Sequence, residues 1–272
     1  MAPAEPRELA EGALRLDFPR EAVARLTLCN PEKRNPLSHA VLDALTETMP
    51  RLEHGIDVRC VVITGEGRAF SAGYDIGGIP EENFERDAEA LIAHPFTDAM
   101  AAVSTHPYPV LAALNGHCLG GGLELAVRCD LRLCAAEALL GMPPARLGLI
   151  YGHTGLERFI ETIGVARTKE LFLTGRSIDA VRAEQIGLVH EVHPAAEIEV
   201  AALDLAEAVA ANAPLSMRGN KATIETLARF PRLSPKEEQE LIELRRSCFS
   251  SEDFREGIRA FAEKRSPVWR GR

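Results

Sequence analysis

Asn115-Gly116-His117-Cys118-Leu119-Gly120-Gly121-Gly122-Leu123-Glu124-Leu125-Ala126 is the stretch on which the fold of this chain turns. It follows an apolar run at 109–114, suited to a buried strand, and leads into apolar residues at 123–127 spaced for a helix. Three glycines at that junction place free N–H groups at a helix start, and such a terminus favours developing negative charge. Close helix–strand packing alone would also use the glycines. Glu124 alone could simply complement the helix dipole, an effect of ~0.3–1 kcal/mol.

A second turn of this kind lies upstream: Gly65-Glu66-Gly67-Arg68-Ala69-Phe70-Ser71-Ala72-Gly73-Tyr74-Asp75-Ile76. It too follows a short apolar, β-branched run, at 58–64. It is not a dinucleotide fingerprint, because Phe70 stands where Gly-x-Gly-x-x-Gly needs its third glycine.

Outward from these turns, 13–18 and 23–29 read as strands joined at Pro19-Arg20-Glu21. Ser38 is placed to cap a helix carrying Val41, Leu42, Leu45 and Met49. Further elements are a helical stretch at 84–104, a strand at 131–135 and a helical segment at 156–188. That last segment contains boundary signals at Gly164, Gly175 and Ser177-Ile178-Asp179. The alternation predicts a layered α/β core with crossover connections. Beyond Pro194 the pattern becomes three or four helices, separated near Ala213-Pro214, Phe230-Pro231 and Ser250-Ser251. The chain thus divides into a core at 1–197 and a helical region at 198–272. The last helix aligns Phe254, Ile258 and Phe261 in a stripe that needs cover from the core or from another subunit.

Composition narrows the function. With 46% hydrophobic and 26% charged residues the chain is an ordinary globular one. A net charge of −9 argues against a nucleic-acid partner, so any phosphate must be met locally. Lys33-Arg34 and Lys264-Arg265 are the candidate pairs, with solvated surface charge as the plainer account of each. The cysteines at 29, 60, 118, 129, 134 and 248 form no Cys-x-x-Cys and read as reduced, packed thiols. No window approaches the ~18 apolar residues of a membrane span, and no targeting pattern opens the chain. A cytoplasmic protein without a membrane partner is expected. His190 and His193 lack a third ligand, so no metal is expected. His153 reads as a surface or satisfied histidine.

Together, Phe70–Ile76 and Asn115–Glu124 resemble the paired signature segments of the crotonase (enoyl-CoA hydratase/isomerase) superfamily. The likeness extends to Lys33-Arg34-Asn35-Pro36-Leu37 near the start. Near the end it takes in Glu252-Asp253-Phe254-Arg255-Glu256-Gly257 and Phe261-Ala262-Glu263-Lys264-Arg265. The resemblance implies a spiral of repeated β-β-α units followed by a helical trimerisation region, in a homotrimer or a hexamer built as a dimer of trimers. It implies an acyl-CoA substrate, no cofactor beyond the coenzyme A moiety of that substrate, and an oxyanion hole from the N–H groups of Tyr74 and Gly121. Arg34, Ala72 and Asp75, with Lys264 from this or a neighbouring subunit, would hold the nucleotide.

Hydratases of the family use two glutamates, one at the position of Glu124. The other falls within Gly141-Met142-Pro143-Pro144-Ala145-Arg146-Leu147-Gly148, and Pro144 occupies its place. Proline transfers no proton, which weighs against a two-carboxylate hydratase and more strongly against an isomerase. Decarboxylation of a malonyl-type thioester generates the enolate without a base. The methylmalonyl-CoA decarboxylase subgroup is similar through Phe70–Gly73, Leu147-Gly148-Leu149-Ile150-Tyr151 and Arg245-Arg246 followed by Ser251-Glu252-Asp253. That likeness assigns Tyr151 to orienting the substrate carboxylate and Glu124 to positioning or proton management. Tyr74 and Pro143 depart from the subgroup, which has histidine and threonine there. A single-glutamate enoyl-CoA hydratase and a non-catalytic acyl-CoA-binding protein are the alternatives.

Overall fold

The computed structural model describes residues 5–54, 58–74, 92–228, 236, 239, 242, 243, 246, 249–265, 267 and 268. Eleven strands are described: β1 (Arg7–Leu9), β2 (Leu14–Arg20), β3 (Val23–Leu28), β4 (Cys60–Gly65), β5 (Ala69–Ser71), β6 (Val110–Leu114), β7 (His117–Leu119), β8 (Leu131–Ala135), β9 (Leu139–Gly141), β10 (Ile178–Asp179) and β11 (Glu191–His193). One sheet has the order β1-β2-β3-β4-β6-β8-β11, the other β10-β9-β7-β5. From β3 to β11 the large sheet is parallel, and β5, β7 and β9 are parallel in the small one.

Each turn of chain therefore lays one strand in each sheet and returns through a helix. The pairs β4–β5, β6–β7 and β8–β9 advance by one position per turn. This is the β-β-α spiral expected from the sequence. The returning helices include α1 (His39–His54), α2 (Thr97–Ser104, entered through a π-turn at Ile92–Phe96) and α3 (Gly121–Arg128). They are followed by α4 (His153–Thr174), α5 (Ala180–Gln185) and α6 (Ile198–Ala210). Ser38 Oγ accepts from Val41 N at the start of α1, as its capping role requires. The expected helix at 84–104 lies outside the described residues from 84 to 91. The segment read as helical over 156–188 is broken at Gly175, which has φ +59°, and by β10.

The continuous apolar runs of β4 and β6 follow from burial on both faces. Val61, Ile63, Val110, Ala112 and Leu114 face the main core, whereas Cys60, Val62, Leu111 and Ala113 face a second layer. That second layer is α6, whose Ile198, Ala202, Leu203, Ala206 and Ala210 pack on the outer side of the sheet. Helix α6, the first element past the expected division at 197/198, therefore packs directly on the sheet. A helix with that much apolar surface is stabilised by the sheet it covers. Helices α7 (Pro214–Ala228) and α8 (Glu252–Ala262) follow. Lys221 of α7 anchors to the core by bonds from Nζ to Asp130 Oδ2 (2.6 Å) and to Tyr108 O (3.2 Å). No described helix is long and apolar enough to cross a membrane.

Candidate active site

The two glycine turns meet. Gly73 has φ +93°, and a Cβ there would lie 2.9 Å from both Gly121 N and Leu119 O. Only glycine lets the first turn lie against the start of α3 in that conformation. Gly121 opens α3, so its N–H has no acceptor within its own helix. A Cβ at Gly121 would meet the Tyr74 ring at 3.0 Å. Gly122 packs on Ser71, with 2.6 Å left for a Cβ, so one of the three glycines does serve helix–strand packing. Tyr74 and Gly121 are thus adjacent, with the Tyr74 ring tilted on Phe96 at a centroid distance of 4.3 Å.

Glu124 lies in the first turn of α3 and is 3% exposed, yet it lines a cavity of about 130 Å³. Both of its oxygens are engaged. Arg128 Nη2 donates to Oε1 at 3.0 Å, and the Tyr151 hydroxyl donates to Oε2 at 2.6 Å. Burial, then the Glu124 carboxylate, pushes the Tyr151 phenol well above its ordinary range, so it remains a proton donor. A phenol has one proton to give. In this arrangement that proton is shared with Glu124 Oε2.

Gly155, near the start of α4, lets the pair form, because a Cβ there would stand 2.6 Å from both Glu124 Oε2 and Tyr151 Cε1. Sequence reading passed over both Arg128 and Gly155. The i, i+4 spacing of Glu124 and Arg128 on one helix was the available signal for the first, and no local pattern marks the second.

Elsewhere the cavity wall is mainly apolar. Pro144 is buried in it, and Glu124 is the one carboxylate among its described lining residues. Phe249 and Phe254, packed edge to face at 4.9 Å with Leu149 and Ile258, close the far end. The C-terminal region of the same chain thus covers the site.

Ala72, Tyr74, Pro143 and Leu147 also line a wider groove of about 750 Å³, in which Lys33, Arg34, Arg146 and Arg265 supply positive charge. Arg34 and Ala72 are brought together by a bond from Ala72 N to Arg34 O at 2.8 Å. Buried Asn35 fastens this corner: its Nδ2 donates to Glu66 O and Ala69 O, and its Oδ1 accepts from Asn30 N. Lys264 sits just past α8 with φ +53°; Arg265, its neighbour, is the member of that pair on the groove. Asp75 and Arg245 lie outside the described residues. His190 Nδ1 accepts from Arg132 N and His193 Nε2 pairs with Glu191, and no metal-holding cluster occurs among the described residues.

A β-β-α spiral with a buried carboxylate beside paired glycine turns, opening onto a basic groove, defines a crotonase-superfamily acyl-CoA enzyme. The profile of the enoyl-CoA hydratase/isomerase family matches residues 19–272, and the chain belongs to that family. The 2,3-dehydroadipyl-CoA hydratase of Escherichia coli is 33% identical over 254 residues, covering 93% of this chain and 97% of its own. A solved methylmalonyl-CoA decarboxylase, in complex with 2-nitronate-propionyl-CoA, aligns with a TM-score of 0.87 at 27% identity, over 96% of this chain and 99% of that one. An enoyl-CoA hydratase from Bacillus anthracis gives a TM-score of 0.73 at 33% identity, over 96% of this chain and 100% of that one.

Proposed function

We propose that this enzyme decarboxylates a malonyl-type acyl-CoA, such as methylmalonyl-CoA. The observation that carries this reading is Glu124 as the single carboxylate among the cavity's described lining residues, with Pro144 at the place of a second and with Arg128 balancing its charge. An anionic acyl group can then enter without facing an uncompensated buried charge.

In the reaction the bond from C2 to the carboxylate breaks, and its electron pair passes into the thioester as an enolate while CO2 leaves. The N–H groups of Tyr74 and Gly121 stabilise the enolate oxygen, and donors so placed contribute ~2.7–4 kcal/mol each. C2 then takes one proton, for which Tyr151 is the protonated group at hand, and solvent replaces that proton. The basic groove, with Arg34, Ala72 and Asp75, accepts the nucleotide of coenzyme A; Arg265 serves there beside or in place of Lys264. No further cofactor enters the scheme.

Names such as that of the E. coli relative favour a second reading, hydration of an enoyl-CoA by Glu124 alone. Mass spectrometry of saturated, unsaturated and carboxylated CoA esters incubated with the protein separates the two readings. Loss of CO2 from a carboxylated ester supports decarboxylation, and water addition to an enoyl ester with carboxylated esters untouched would replace it. Binding without any product would point to an acyl-CoA-binding protein. Exposed Leu173 and Phe261 at the groove support assembly into a homotrimer or hexamer, which light scattering tests. We also infer a cytoplasmic location.

A further inference from the structure

Arg128 Nη2 binds two acceptors at once: Glu124 Oε1 and the carbonyl oxygen of Thr154, each at 3.0 Å. The side chains of Arg128 and Glu124 are only 16% and 4% exposed, so solvent and salt screen the pair weakly. Arg128 Nε is buried without a hydrogen-bond partner among the described residues, a cost that burying a guanidinium here carries. On its other side Arg128 lines a second cavity of about 260 Å³ with Glu157 and Arg158. Thr154 lines both cavities, so Thr154 and the Glu124–Arg128 pair form the partition between them.

Among the described residues, three titratable groups face Glu124. Arg128 comes from its own helix, Tyr151 from the loop before α4, and Tyr74 from the first glycine turn. Behind Arg128, Arg158 is already paired with Glu161 and Glu225, and Glu157 faces the second cavity. Arg128 is the one cation paired with Glu124 among the described residues.

We propose that Arg128 is a positioning residue that selects for anionic acyl groups. Anchored on Thr154, it fixes Oε1 of Glu124 so that Oε2 receives the Tyr151 hydroxyl. Its charge cancels that of Glu124, so a second carboxylate can occupy the cavity. Without the guanidinium, two like charges would share a mainly apolar cavity, and the carboxylated substrate would be expelled in preference to a neutral one. This inference rests on the acyl-CoA reading above and deepens it by naming the residue that selects the charge of the acyl group.

The test compares the full-length protein with Arg128→Met and Arg128→Lys, each first checked for its thermal unfolding transition. Calorimetry measures binding of methylmalonyl-CoA and of propionyl-CoA, which differ by one carboxylate. Arg128→Met is expected to weaken methylmalonyl-CoA binding roughly ten-fold or more while changing propionyl-CoA binding less than about three-fold, and Arg128→Lys to recover most of the difference. Equal weakening of both ligands, or no change in either, overturns the proposal. If Arg128→Met fails to fold, Arg128→Lys and Arg128→Gln carry the same comparison, and a discrimination unchanged from the parent in both overturns it. Because the readout is binding, it stands apart from turnover. A parent protein that binds but does not decarboxylate methylmalonyl-CoA refutes the proposed reaction and leaves the role of Arg128 to be judged on these affinities.

Discussion

The Tyr151 hydroxyl donates to Glu124 Oε2 across 2.6 Å, joining two residues 27 positions apart in the chain. The bond is short because its acceptor is a carboxylate in a mainly apolar site, where charge-assisted hydrogen bonds are strong. It makes one unit of the only carboxylate and the nearest phenol among the described lining residues of the acyl cavity.

Tyr151→Phe removes the donor and keeps the ring, whose partner Phe172 lies at a centroid distance of 5.5 Å. Turnover of the preferred CoA ester is expected to fall roughly 10²-fold, with a stability loss of ~1–3 kcal/mol from the carboxylate oxygen left without its partner. Steady-state kinetics and denaturant titration check the two figures; activity within two-fold of the parent would remove Tyr151 from the chemistry.

Gly155→Ala places a methyl group 2.6 Å from Glu124 Oε2 and from Tyr151 Cε1. Neither side can yield without breaking the pair, so turnover is expected to drop at least about ten-fold at a stability cost of ~1–3 kcal/mol. Gly164→Ala is a control on the same helix, because its Cβ would meet nothing within 4 Å, although its φ of +74° adds backbone strain. It should lower stability and spare turnover.

Phe249→Ala opens the end of the cavity that Phe249 closes with Phe254 and Leu149. Preference is expected to move toward acyl groups longer by a few carbons, read as the ratio of kcat/KM across a chain-length series. The lost packing costs ~3–5 kcal/mol locally. An unchanged profile would show that another wall sets the length.

His106 makes folding sensitive to acid. It is 3% exposed, and burial, then the charge of Lys221, lowers its pKa to about 4. The unfolded chain, with an imidazole near 6.5, binds the extra proton between those values, so this contribution to stability is present above pH 6.5 and is lost as pH falls toward 4. A shift of that extent corresponds to about 3 kcal/mol. His106→Gln should flatten that limb of a stability-versus-pH curve, and an identical limb in the variant would assign it to other groups.

Much of the architecture was legible because its causes are local. The β4 and β6 runs announce burial on both faces, and the structure supplies both covers. The cap at Ser38 and the turn glycines at Gly73 and Gly120–Gly122 act through backbone conformation and hydrogen bonds within a few residues of themselves. Arg34 and Ala72 were named from a resemblance, and one backbone hydrogen bond joins them. What covers α6 was not legible, because its apolar face reads the same whether a sheet or a second subunit lies on it.

The sequence by itself determined the spiral, the glycine turns and the presence of a glutamate at the start of α3. Short-range sterics and periodic burial leave few other ways to satisfy those residues. Only the tertiary structure decided what surrounds that glutamate: Tyr151 and Gly155 from the entry to α4, Phe249 and Phe254 from the far end of the chain, and an arginine turned inward rather than toward solvent. Those meetings depend on how helices pack across a core, where small differences in long-range free energy choose among arrangements that the local pattern permits equally.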